Sequence, residues 1–91
     1  MPSYLVETYL PRGRAGERTA LDRQTRSAVL ELTRAGTRVA FDRSIHVPED
    51  ETCFFVFDAD SSHDAALAAQ RAGLEPMRIV EAVTSANQEE T

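Results

Sequence analysis

Lysine is absent from this 91-residue chain, and cysteine occurs only once. A single cysteine excludes an internal disulfide. No apolar run approaches the roughly 20 residues that a membrane-spanning helix needs. The start, Met1-Pro2-Ser3, leads straight into a strand-like run, with no basic segment followed by an apolar one. No secretory leader is read there. Together these absences predict a cytoplasmic protein that does not span a membrane. With lysine missing, all ten basic residues are arginine. Exposed lysine would serve most such sites, so a GC-rich genome accounts for the bias without any demand from side-chain physics.

A chain of this length is one domain, and it buries roughly 60–65% of its unfolded surface, which leaves a modest stability. Its 42% hydrophobic and 27% charged residues are ordinary for a globular protein. Charge is uneven along the chain. Residues 1–38 hold seven arginines against four acids, and residues 39–91 hold three against eleven, giving the net charge of −5. A net acidic chain does not suit nucleic acid, which needs concentrated positive charge for its phosphates. Arg12, Arg14 and Arg18 fall in an expected loop and read mainly as solvated.

The most informative stretch is Thr52-Cys53-Phe54-Phe55-Val56-Phe57-Asp58-Ala59. It is apolar at consecutive positions, so both faces of that strand need cover. Helices of a small domain cover one face; a second copy or a ligand cavity must cover the other. Elsewhere residues 3–10 alternate as a strand, with Tyr4, Val6, Thr8 and Leu10 on one face and Leu5, Glu7 and Tyr9 on the other. Pro11 ends it, and a flexible connection follows. Thr19, with Asp22 three residues on, is expected to cap a helix that Gly36 closes. Residues 38–47 form a second strand, with Val39, Phe41, Arg43, Ile45 and Val47 sharing one face. Pro48-Glu49-Asp50-Glu51 turns into the third strand. Asp60, Ser61 and Ser62 start a helix through Ala72. Gly73 then Leu74 suits a Schellman ending, and residues 77–83 make the last strand.

This order predicts an α+β, ferredoxin-like βαββαβ domain over residues 1–84, with residues 85–91 as a flexible C-terminal tail. Right-handed crossovers put both helices on one face of a four-stranded antiparallel sheet, in the order 4-1-3-2. The first strand then lies between the third and fourth, and Glu7 and Glu81 become candidate neighbours on the open face.

The same residues carry a family resemblance. Tyr4-Leu5-Val6-Glu7, Gly36, Ser44, Asp50, Thr52-Cys53, Gly73 and Arg78-Ile79-Val80-Glu81 resemble a family of small actinobacterial proteins classed as a domain of unknown function. One member type is described as a nickel-binding protein. The likeness runs from residue 3 to 83. It implies a ferredoxin-like subunit that pairs through its sheet into a homodimer of the α+β barrel type. It also departs at two positions: Arg43 and Ala68 stand where many relatives carry histidine.

Two function classes follow. In the first, the chain is a dimeric binding protein of the nickel-binding-like family, and the ligands to nickel or another divalent metal come from His46, His63, Asp60 and Asp64. Imidazole is favoured by nickel, zinc and copper, though these acids also simply suit a helix N-terminus. In the second, the chain is a small-molecule-binding enzyme, an isomerase, cyclase or cofactor-free oxygenase. Glu7 or Glu81 would then be the base, and Tyr9, Arg43 and Tyr4 would orient the substrate. The competing structural role for the glutamates is an ion pair with Arg78 or Arg43. Cys53 reads as a buried structural thiol.

Overall fold

The computed structural model describes residues 1–83. The tail expected at 85–91 lies outside them. Four strands, β1 (Ser3–Tyr9), β2 (Val39–Val47), β3 (Thr52–Ala59) and β4 (Pro76–Ala82), form one antiparallel sheet in the order β2-β3-β1-β4. Helices α1 (Arg18–Arg34) and α2 (Ser62–Arg71) cover one face. This is the expected ferredoxin-like fold.

Side chains alternate across each strand, and cross-strand partners share a face. Val6 pairs with Phe55 and with Ile79, and these point under the helices. The core there holds Tyr4, Val6, Phe41, Cys53, Phe55 and Phe57. Phe41 packs its ring 6.1 Å from Phe55 and 5.5 Å from Phe57, and the guanidinium of Arg26 on α1 caps it at 4.9 Å. The helices answer with small side chains. Ala65, Ala68 and Ala69 of α2 have no exposed surface, so α2 approaches the sheet closely.

Both helices end in the same way. Gly36, at φ 101°, lets Thr37 N–H donate back to the Leu32 carbonyl at 2.9 Å. Gly73, at φ 79°, does the same for Leu74 and Ala69 at 3.0 Å. These are the left-handed endings read from the sequence. The start of α1 differs from expectation. Residues Arg12–Glu17 form a 3-10 turn that runs directly into α1, with Glu17 at the cap position. Thr19 therefore lies inside the helix and caps nothing. The Arg14–Glu17 ion pair braces the turn, where a flexible connection was expected.

The larger correction concerns β2. Its pairing with β3 shifts between Phe41 and Arg43, leaving Asp42 as an extra residue. Such a bulge resets the alternation. Val39 and Phe41 share the helix-covered face with Ser44 and His46, while Ala40, Arg43, Ile45 and Val47 lie on the open face. An unbroken alternation had grouped Val39 and Phe41 with Arg43, Ile45 and Val47.

Candidate functional site

The open face of the sheet has an apolar centre. Leu5 in β1 lies between Val56 of β3 and Val80 of β4, and Phe54 pairs with Ile45 of β2. Ile45 is 40% exposed. Charged and polar groups stand around this centre: Glu7 with Arg78, Asp58 with Ser3, and Arg43 with Asp42. The Ser3 hydroxyl donates to Asp58 at 2.8 Å. Arg78 Nε is 3.6 Å from Glu7 Oε1.

The two candidate bases do not meet. Glu7 faces Arg78 and Phe54 on the open side, whereas Glu81 pairs with Tyr4, whose side chain is in the core under the helices. Strand alternation thus puts the two carboxylates on opposite faces of the sheet. Glu81 is exposed. Tyr4 is 7% exposed within the core and is not placed to orient a substrate beside Glu7. Arg43 lies on the open face, two strands from Glu7, and is paired with its neighbour Asp42.

The metal candidates are also spread out. His46 pairs across the sheet with Cys53 near the start of β3, and His63 follows the other end of β3. At ~3.3 Å per residue the six steps from Cys53 to Ala59 set these ends about 20 Å apart. His46 Nε2 lies 2.9 Å from the Leu10 carbonyl. A carbonyl only accepts, so this nitrogen carries a proton and is not free for a metal. His63 is exposed in the first turn of α2. Asp60 faces Arg38 at 3.8 Å, and the Asp64 backbone N–H donates to Ser61 Oγ at 3.2 Å as a helix cap. Among the described residues no three His, Cys, Asp or Glu side chains converge as a metal would require.

Cys53 has no exposed surface, as expected of a structural thiol. Burial pushes it up to about 11; Asp22 adds to the rise and Arg18 opposes it. Asp22 Oδ1 and Ser44 Oγ are buried without a hydrogen-bond partner among the described residues. The sequence marked Asp22 as a capping-box residue and Ser44 as part of the family resemblance, but nothing in it pointed to their burial.

One crevice was not foreseen. It measures about 420 Å³ and opens where the end of β1 meets the 3-10 turn and the connection between α2 and β4. Leu10, Leu21 and Leu74 form its floor, and Tyr9 and Met77 flank it. Arg14, Glu17 and Glu75 supply its charge. Of the predicted site residues only Tyr9 lines it; Glu7 and Glu81 do not. A second bulge shapes it. Glu7 pairs with Arg78 and Thr8 with Pro76, so Met77 has no partner in the ladder.

No protein-family model matches the chain, and no curated protein matches it. Among solved structures it is similar to the crystal structure of SCO4226 from Streptomyces coelicolor A3(2). The TM-score is 0.66 at 18% identity, covering 91% of this chain and 98% of that one. A likeness at this identity speaks for the fold. Its actinobacterial source agrees with the resemblance read from the sequence. Among the described residues no helix is long and apolar enough to cross a membrane.

Proposed function

We propose that this chain is a small homodimeric binding protein whose subunits pair through their open sheet faces. The observation that carries this is the apolar centre of that face, built from Leu5, Phe54, Val56, Val80 and Ile45. Contiguous apolar surface on a lone subunit can mark an interaction site; here Ile45 is 40% exposed, Leu5, Phe54 and Val80 are half-buried, and Val56 is buried. The polar ring formed by Glu7, Arg78, Asp58 and Arg43 around an apolar middle has the layout of a protein interface. The separation of Glu7 from Glu81, and the Glu7–Arg78 pair, favour binding over acid–base catalysis.

The test is Leu5→Arg. In a lone subunit the new guanidinium extends into water, so folding should persist with a cost under about 1 kcal/mol. In a sheet-to-sheet dimer it buries an unpaired charge, and sedimentation velocity should show only monomer. A Leu5→Arg protein that keeps the wild-type sedimentation coefficient contradicts the reading.

Metal binding is the second reading, favoured by the proximity in sequence of Asp60, His63 and Asp64. Asp60 is already engaged by Arg38 at 3.8 Å, whereas the Asp64 bond to Ser61 uses only its backbone N–H and leaves the carboxylate available. Such a site would be weak, because among the described residues no three His, Cys, Asp or Glu side chains converge. Calorimetry with nickel on tag-free protein, repeated with His63→Ala, decides it. Heat that saturates below millimolar nickel and vanishes in the variant supports the site; equal traces from both proteins remove it.

A further inference from the structure

We infer that the crevice at the end of β1 is a binding site for a small organic cation, an aromatic or alkyl body carrying one protonated amine. The inference rests on the binding-protein reading but not on the dimer. Its volume of about 420 Å³ falls within the range of small-molecule sites. Leu10 at 1% and Leu74 at 8% exposure make a well-packed floor. Tyr9 and Met77, by contrast, are 56% and 55% exposed, among the largest apolar side chains left open to water. Both stand at the mouth of this crevice. Met77 is there because the bulge opposite Glu7 and Thr8 releases it from the sheet ladder. Bulges commonly re-aim a side chain beside a binding site. A flat aromatic or flexible alkyl body fits between a tyrosine ring and a thioether, both of which accept such partners.

The charge at the rim selects the head group. Arg14 is held at both ends by Glu17, with Nε at 2.8 Å and the terminal nitrogen at 2.9 Å. That pair neutralises itself. Glu75 also lines the crevice and has no ion-pair partner among the described residues. The lining, one arginine against two glutamates, therefore carries a net negative charge, and the Tyr9 ring belongs to the same lining. An ammonium group meets a carboxylate and an aromatic face there. An anion meets a lining whose acids outnumber its one arginine, and that arginine is already held by Glu17.

The experiment titrates amide-labelled protein with tryptamine, and in parallel with indole-3-propionate and 3-ethylindole, by heteronuclear NMR. Tryptamine should bind saturably, with Kd on the order of 1 mM or tighter for a ligand of this size. Its shifts should centre on Tyr9, Leu74, Glu75 and Met77. Indole-3-propionate should bind at least fivefold more weakly, and Glu75→Gln should remove that preference while leaving 3-ethylindole unchanged. Equal or tighter binding of the acid, shifts centred elsewhere, or an unaltered preference in Glu75→Gln overturns the inference. The titration is repeated on Leu5→Arg. Binding retained in a monomer supports the crevice whatever becomes of the dimer, and a wild-type dimer that does not bind tryptamine overturns the crevice alone.

Discussion

Cys53 sits on the helix-covered side of β3, opposite His46, with its backbone carbonyl taking a 2.8 Å hydrogen bond from the Thr8 hydroxyl. Its thiol is pushed up to about 11, first by burial, then by Asp22, against Arg18. In the unfolded chain a cysteine ionises near pH ~8.5. The folded state therefore holds its proton over a window in which the unfolded state has lost it. Stability from this group is complete below about pH 8.5 and declines as pH rises toward 11. Urea midpoints measured at pH 8 and pH 10.5 should fall in the wild type by more than in Cys53→Ala. The native thiol should react with a neutral disulfide reagent only as fast as the protein opens. A slope equal in both proteins would contradict this account. The buried, inert role was legible because Cys53 stands among aromatics. The Asp22 and Ser44 oxygens, which have no hydrogen-bond partner among the described residues, were not, since only packing shows which polar groups lose water.

The elements themselves followed from local rules. Both Schellman endings came from a glycine placed after an apolar helix face, and β1 came from plain alternation. The two bulges did not. In β2, Phe41 and Ile45 are both apolar, so a continuous alternation and a bulged one read equally well. The choice is made by tertiary contact, because Phe41 fills the space beside Phe55 and Phe57. Asp42 is the extra residue, and deleting it leaves Phe41 and Arg43 in their present registers. Deletion of Asp42 should therefore keep the fold, with a change in stability within about 1–2 kcal/mol. Deletion of Ile45 should cost more than about 3 kcal/mol, because it turns His46 and Val47 onto the wrong faces. Chemical unfolding of the two variants compares them. Similar large losses in both would show that the bulge is not where the strand absorbs its extra residue. The unforeseen crevice has the same origin: Tyr9, Glu17 and Glu75 are brought together by strand pairing and helix return over more than sixty residues of chain.

At the scale of the whole molecule, the fold was legible and its outer face only half so. The run at 52–59 shows that both sheet faces want cover, and the structure assigns Cys53, Phe55, Phe57 and Ala59 to the helices and Phe54 and Val56 to the other side. Which residues share that outer face depended on the bulge at Asp42. It moves Phe41 inward and leaves Ile45 outward, enlarging the apolar centre around Leu5. A domain this small gains much from covering such a face. The central claim is that a second copy covers it. Light scattering on a dilution series of the wild-type chain tests this most directly. The account predicts a molar mass twice the 10.1 kDa of the chain at micromolar concentration, falling only on further dilution. A mass of 10.1 kDa at every concentration up to on the order of 100 μM would contradict it.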